Sequence, residues 1–314
     1  MEMRILVTGG SGFLGKHVVK ELQNLGHDVL DPSSTVLNLL DGSSMSDGLE
    51  HLEYFLNDHK IDAVVHLAAT CGGIGINKDN PGRFIYENLQ MGINVLEAAR
   101  QAGVKKVVNL GTVCAYPKFA SIPFKEEDIW NGYPEETNAP YGIAKKTIME
   151  MGKAYSQQYG MDVTNLVPVN MAGEFDNFDL YSSHVIPALI HKFEDVKDGV
   201  LPVTLWGTGS ASREFLYAGD CAKAIAIALE KNTGSEPINL GTGQEITIRD
   251  LAKKIKKIGG YSSEIIWDNS KPDGQPRRCM DVTRAKNVLR WQARTSIDDL
   301  LTKTINWYRQ YGAR

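Results

Sequence analysis

Eight residues near the start of the chain limit its fold more than any other stretch. Thr8-Gly9-Gly10-Ser11-Gly12-Phe13-Leu14-Gly15 follows directly on the apolar run at 5–7. After Gly12, apolar residues recur at Phe13, Leu14, Val18, Val19, Leu22 and Leu25, which is helical spacing. A buried strand therefore turns through glycines into a helix. Without Cβ atoms at 9, 12 and 15 the backbone can approach a ligand closely. The unpaired N–H groups and positive dipole end of the helix then favour a diphosphate. The pattern predicts a dinucleotide site.

The same alternation continues downstream. Strand-like runs lie at 28–30, 63–67, 107–110 and 163–169, and helical periodicity at 84–102 and 141–159. Gly103 and Gly160 are placed to stop those two helices. Strands alternating with helices predict an α/β fold: a Rossmann-type doubly wound parallel sheet covered on both faces. After about residue 170 the loops lengthen, and helices are expected at 185–193, 218–231, 248–258 and 297–308. A chain of 314 residues has room for two units at ~150 residues each. The division expected is 1–169, with about 216–242 returning to the sheet, as the dinucleotide-binding domain. Residues 170–215 and 243–314 would form a smaller α/β C-terminal substrate domain.

Composition excludes several partners. Lys and Arg total 34 against 38 Asp and Glu, a net charge of −4. Nucleic acid is therefore not expected, and an anionic ligand would need local cations. The four cysteines, Cys71, Cys114, Cys221 and Cys279, form no CxxC pair and no zinc-like spacing, so no metal and no disulfide framework is expected. No apolar run approaches the ~18 residues of a membrane span, and no secretory leader is recognisable. The expectation is reduced thiols, no membrane and a cytoplasmic location.

Tyr141 and Lys145 stand four apart on one predicted helix, and so on one face. An ammonium beside a phenol favours the phenolate, which would lower the Tyr141 pKa and make it a usable proton donor or acceptor. Thr112 supplies a hydroxyl just after the strand that ends at Leu110. Glycine turn, hydroxyl and Tyr-x-x-x-Lys, in this order, resemble the short-chain dehydrogenase/reductase superfamily, in its extended branch that acts on nucleotide sugars. Further segments narrow the likeness to the GDP-L-fucose synthase family. They include His66-Leu67-Ala68-Ala69, Gly72-Gly73-Ile74, Phe84-Ile85-Tyr86-Glu87-Asn88 and Cys114-Ala115-Tyr116-Pro117-Lys118. Asp176-Asn177-Phe178, Ser183-His184-Val185-Ile186-Pro187, Arg213-Glu214-Phe215-Leu216, Ser270-Lys271-Pro272-Asp273-Gly274 and Asp281-Val282-Thr283-Arg284 extend it along nearly the whole chain.

The resemblance implies conversion of GDP-4-keto-6-deoxy-D-mannose to GDP-L-fucose, by epimerisation at C3 and C5 and then reduction of the C4 ketone. Both carbons are α to the ketone, so their protons are acidified. By motif position Cys114 is the expected base, and His184 the acid on the opposite face. Taken alone, a single Cys is more often a small core residue, and a single His structural. Tyr141 would protonate the C4 oxygen, Lys145 would hold the nicotinamide ribose, and Thr112 would bond the ketone oxygen. Thr112 stands where the family usually has Ser; it keeps the hydroxyl and adds a methyl.

Around the cofactor the resemblance places Gly9, Ser11, Gly12, Phe13, Leu14 and Gly15, then Ser33 near the adenine ribose. Leu67, Ala68, Ala69, Val167, Pro168 and His184 complete that set with Tyr141 and Lys145. Arg213, whose fork matches phosphate geometry, is the first candidate for the diphosphate. Asn170, Lys192, Trp206, Lys271 and Asp273 are expected near the nucleotide sugar. The family's cofactor-binding arginines are absent, and Asp31 lies about two positions before the place an NAD-type acid would take. Ser33 and Ser34, small hydroxyls near that place, favour NADP(H) over NAD(H). Met171-Ala172-Gly173-Glu174 departs from the family's Tyr-Gly-Pro, which leaves room for a related GDP-deoxysugar. Val113-Cys114 occupies the place of a dehydratase's acidic pair and argues against dehydration. The alternatives are an NAD-dependent nucleotide-sugar 4-epimerase and an epimerase-only GDP-sugar enzyme. The resemblance also implies a homodimer through a four-helix bundle of the helices at 84–102 and 141–159.

Overall fold

The structure, a computed structural model, describes residues 2–40, 45–271 and 275–312. The first half runs β1 (Arg4–Thr8), α1 (Phe13–Asn24), β2 (Asp28–Leu30), α2 (Met45–Asp58) and β3 (Ala63–His66). It continues with α3 (Ile74–Asp79), α4 (Pro81–Gln101), β4 (Lys106–Leu110), α5 (Ala139–Tyr159) and β5 (Asp162–Pro168). The second half holds β6 (Asn170–Ala172), α6 (Val185–Asp195), β7 (Val203–Trp206), β8 (Ser212–Tyr217) and α7 (Ala218–Glu230). Then come β9 (Ile238–Leu240), β10 (Glu245–Thr247), α8 (Ile248–Gly259), β11 (Ile265–Asp268) and α9 (Ile297–Trp307).

Six strands form one sheet in the order β2-β1-β3-β4-β5-β9, with every pairing parallel. Alternate side chains along each strand feed opposite cores. Ile5 and Val7 of β1 join Val65 and Val108 against Val18 and Leu22 of α1 and Ile225 of α7. Leu6, Val64 and Val107 face the other way, toward Leu52 of α2, Val95 of α4 and Ile148 of α5. Both faces are thus covered, which is why β3 and β4 are buried along their whole length. Helices α4 and α5 lie close together: a Cβ on Gly92 would fall 2.5 Å from the Ile148 side chain. Gly103 and Gly160 adopt left-handed φ of 70°, as stop signals require.

A third core gathers Phe178 from the loop before α6 with Phe193, Leu205, Leu251, Ile255 and Leu301 from α6, β7, α8 and α9. Two small sheets flank it, β10-β8-β6 and β11-β7. Glu214 of β8 is fully buried and accepts the N–H groups of Gly243 (2.7 Å) and Met280 (2.8 Å). That carboxylate ties the turn after β9 and the segment after residue 275 to β8. The helix at 45–58, the short α3 and the three-residue strands of the small sheets were not expected from the sequence. Among the described residues no helix is long and apolar enough to cross a membrane.

Candidate functional site

The glycine turn sits where β1 meets α1. Gly9 has φ +73°, and a Cβ there would lie 2.8 Å from the Ala68 nitrogen. A Cβ on Gly15 would strike the Gly9 oxygen at 2.0 Å. Only glycine therefore lets the turn close against 67–69 and lets the helix begin so near it. Gly12 caps α1 without any side-chain hydrogen bond, so the first N–H groups keep their capacity for an anion. A dinucleotide diphosphate fits this cradle. Leu14 and Gly15 are buried beneath it, Phe13 is half-buried, and Ser11 is exposed at its lip. Val167 and Pro168 close the sheet floor by pairing with β9. Ser33 shares a 2.6 Å hydrogen bond with Thr35. Strand β2 ends at Leu30, so Asp31 follows it directly, and a Cβ on Gly10 would meet Asp31 Cβ at 2.4 Å. The carboxylate thus lies nearer the glycine turn than its sequence offset suggested.

Thr112 opens a short 3-10 turn, Val113–Ala115, and its hydroxyl accepts the Cys114 N–H at 3.2 Å. Helix α5 lands on this turn: a Cβ on Gly142 would lie 2.2 Å from the Cys114 oxygen. That approach carries Tyr141 to the Thr112 hydroxyl, with which it hydrogen-bonds. Lys145 follows one turn later, fully enclosed. Thr112, Cys114, Tyr141 and Lys145 are thereby brought together.

The electrostatics differ from expectation at one point. Burial raises the Tyr141 pKa well above 10, nearby Cys71 and Cys114 add to that, and only the Thr112 hydrogen bond opposes it. Lys145 does not pull it down in this structure. Burial brings Lys145 itself to about 8. Its charge acts instead on Cys71 and on His66, whose pKa falls well below 6.5 chiefly through burial. Desolvation governs both groups.

Cys71, which sequence reasoning passed over, belongs to this cluster. Its thiol opens to solvent on one side but is otherwise ringed by protein. Burial raises its pKa, Lys145 lowers it, and Asp176 and Cys114 raise it further. The signal was its place immediately before Gly72-Gly73. His184 is the N-cap of α6; it too is solvent-facing within an enclosed cleft, and the surrounding protein lowers its pKa. The approach to His184 crosses the 72–73 glycines: the Gly73 N–H donates to the Ser182 oxygen at 2.9 Å, and a Cβ on Gly73 would lie 2.5 Å from the Ser183 oxygen.

The cations fall into two groups. Arg213 lies in the cluster, its pKa lowered to about 10 by burial and then by Arg278. Arg278 directs Nη1 toward the Cys114 sulfur at 3.8 Å. Two guanidinium groups crowded together form a natural diphosphate clamp, since an anion between them relieves both. Sequence reasoning missed Arg278, which lies just past the Ser270–Gly274 motif. Lys192 and Lys271 form the second group, 5.6 and 5.8 Å from the ring of Trp206, which is 65% exposed. Asn170 turns its amide to the Glu214 oxygen at 3.3 Å. Asp273 lies outside the described residues. Among the described residues no three His, Cys, Asp or Glu side chains gather as a metal site.

The departing loop at 171–174 has its own packing. The His17 ring of α1 bonds the Glu174 oxygen at 3.1 Å, and the Tyr217 hydroxyl donates to Glu174 Oε1 at 3.2 Å. Phe175, at φ +68°, packs edge-on against His17. Ala172 and Glu174 thus join the cofactor-side helix to the third core.

A parallel sheet whose first crossover opens on bare amides, with phenol, ammonium and hydroxyl above its carboxyl ends, defines a class of nucleotide-dependent reductases and epimerases. The chain belongs to the NAD dependent epimerase/dehydratase family, whose model matches residues 5–241. Within it the chain belongs with the GDP-L-fucose synthases. GDP-L-fucose synthase 1 of Arabidopsis thaliana is 39% identical over 309 residues, covering 97% of this chain and 93% of that protein. GDP-L-fucose synthase of Escherichia coli K12 is 37% identical over 318 residues, covering 98% and 97%. Among solved structures, a GDP-L-fucose synthetase from Naegleria fowleri bound to NADP superposes with a TM-score of 0.88 at 26% identity, covering 99% of this chain and 94% of that one.

Proposed function

We propose that this chain converts GDP-4-keto-6-deoxy-D-mannose, or a closely related GDP-deoxysugar, to GDP-L-fucose or its analogue, by epimerising C3 and C5 and reducing C4 with NADP(H). One observation carries the reading. A thiol, Cys114, sits two residues after Thr112 on the turn beneath Tyr141, so a carbon base adjoins a complete reductase set.

The residues divide the work as follows. The Thr112 hydroxyl bonds the C4 oxygen, where negative charge grows during both enolisation and reduction, and Tyr141 protonates that oxygen as hydride arrives. The high Tyr141 pKa keeps it protonated at neutral pH, so it is a donor. Lys145, near 8, keeps its charge at neutral pH and binds the nicotinamide ribose. Cys114, as thiolate, removes the α-protons, and His184 protonates the opposite face. Arg213 and Arg278 hold the diphosphate; Asn170, Lys192, Trp206, Lys271 and Asp273 hold the nucleotide sugar. Bound NADPH supplies the hydride that reduces C4. The glycine turn, Ser33, 67–69, Val167, Pro168 and His184 seat the dinucleotide. In this reading 1–169 and about 216–242 form the cofactor domain, and 170–215 with 243–314 the sugar domain. Two copies pair through α4 and α5 in a four-helix bundle; light scattering should give twice the chain mass at micromolar concentration.

The test is nicotinamide oxidation with GDP-4-keto-6-deoxy-D-mannose. One NADPH consumed per sugar, with NADH slower, supports the reading. No oxidation with this sugar or any GDP-4-keto sugar, under conditions where NADPH binds, overturns it.

A further inference from the structure

A dinucleotide seated on the glycine turn reaches the carboxyl end of β2 with its adenosine ribose. The loops leaving β1, β2 and β3, neighbours in the sheet, set what that ribose meets. None of them brings a fixed cation. No lysine or arginine occurs at 8–15, at 21–59 or at 67–77. Arg4, on the strand beside β2, pairs with Asp28 at 2.6 Å, at the amino end of both strands. The lysines of α1 serve other groups: Lys16 lies 5.0 Å from the Phe175 ring, and Lys20 acts on His17.

The first charged group after β2 is instead an acid, Asp31. Parallel pairing of Leu6 with Leu30 holds β2 beside β1 and brings Asp31 to the glycine turn. A Cβ on Gly10 would fall 2.4 Å from Asp31 Cβ and 3.3 Å from its carboxyl carbon. Only a glycine at 10 leaves room for the acid to lie against the turn. The residues that follow fix it there. The Ser33 oxygen accepts the N–H groups of Val36 and Leu37, both at 2.9 Å, and Leu37 and Leu39 are buried in the core. Asp31 itself is exposed, and its carboxylate makes no hydrogen bond or ion pair among the described residues. The Ser33 hydroxyl, by contrast, is engaged with Thr35 at 2.6 Å.

A free carboxylate at this place tells the two nicotinamide nucleotides apart. They differ only at the adenosine 2′ position, a hydroxyl in NADH and a phosphate in NADPH. The carboxylate accepts a hydrogen bond from the hydroxyl. The phosphate offers it no donor and is repelled, with no cation nearby to offset the charge.

Resting on the cofactor reading above, we propose that Asp31 is the specificity-determining residue of the cofactor site: it binds the adenosine ribose hydroxyls of NADH, opposes the 2′-phosphate of NADPH, and narrows this chain's preference for NADPH to about tenfold or less. Both nucleotides then serve as hydride donors at one sugar site.

The test is equilibrium binding of NADH and of NADPH, read by nicotinamide fluorescence, for wild type, Asp31→Ser and Asp31→Asn at low and high salt. Both variants keep the Cβ that packs on Gly10. Wild type should bind the two nucleotides within about tenfold of each other. Asp31→Ser should weaken NADH and tighten NADPH, moving the ratio of dissociation constants by ~10-fold or more toward NADPH. Asp31→Asn loses the charge and keeps an acceptor, so it should tighten NADPH with little change for NADH. Salt should shrink the gain for NADPH, because exposed charges are screened, and leave the loss for NADH in place. A wild-type preference for NADPH above ~100-fold, or a ratio that Asp31→Ser does not move, overturns the assignment and leaves NADP(H) use intact. Wild type that binds neither nucleotide overturns the cofactor reading as well.

Discussion

Helix α5 and the segment 170–184 flank one cleft, yet they hold their functional groups by opposite means. On α5 the spacing of a regular helix sets Tyr141 and Lys145 one turn apart. Glycines at 92 and 142 bring its neighbours within contact, and a left-handed Gly160 ends it. Across the cleft there is only a three-residue strand, a non-glycine residue at positive φ, Phe175, and three buried atoms without partners. Each such orphan costs roughly 1–3 kcal/mol. A regular element positions chemistry at little cost. An irregular one does so by leaving polar groups unsatisfied, and those groups stay available to a ligand or a proton.

The contrast can be broken most sharply from the helical side. Tyr141→Phe should lower the rate of C4 reduction by ~10²–10⁴-fold, leave NADPH affinity unchanged, and preserve exchange at the carbons flanking the ketone. Stopped-flow absorbance and NMR would read the two separately. Loss of exchange as well would mean that the phenol also serves enolisation.

The irregular wall should respond in the opposite sense, in stability. Between the ordinary carboxyl pKa of 3.8 and about 7, the folded chain keeps a proton on Asp176 that the unfolded chain releases. Stability therefore falls as pH rises through that window, and the penalty is complete above it. Asp176→Asn should stabilise the protein by ~2–4 kcal/mol at pH 8 and by little at pH 4. Denaturant melts at both values would check this; equal effects at both would show that the carboxylate is not the source.

A third prediction concerns the crowded cations between the walls. Arg213→Ala or Arg278→Ala should raise KM for the GDP-sugar by ~10–100-fold, with kcat less affected. For Arg278, a fall in kcat at constant KM would instead assign it to Cys114. The smallest effect is expected at the cofactor end, where Ser33→Asp adds a carboxylate beside Asp31. Repulsion should shift preference from NADPH toward NADH by ~10-fold; fluorescence titration of both nucleotides would measure it.

Legibility in the sequence follows the same divide. Strand β1 with α1, and helices α4 and α5, carry their own periodicity and stop signals, and were readable within a residue or two at their C-terminal ends. Strands β6, β8 and β10 are three to six residues long and exist because they pair with one another, not because of local pattern. In the site, Thr112, Tyr141 and Lys145 were legible because one turn and one helix fix their spacing. Arg278 was not, because it reaches Cys114 across 164 residues. Cys71 and Asp176 were not, because nothing about a single Cys or Asp announces that a folded neighbour will shift its proton. The expected lowering of Tyr141 by Lys145 failed for the same reason: helical spacing gives proximity, and only the fold gives burial.

The central claim is that carbon acid–base chemistry and ketone reduction share one cleft. Its most direct test is turnover of GDP-4-keto-6-deoxy-D-mannose with NADPH in deuterated water, with the label mapped by NMR. Deuterium at both C3 and C5 of a reduced product is the predicted result. A product reduced at C4 with protium at both carbons would contradict it, leaving a reductase in which Cys114 and His184 do no carbon chemistry.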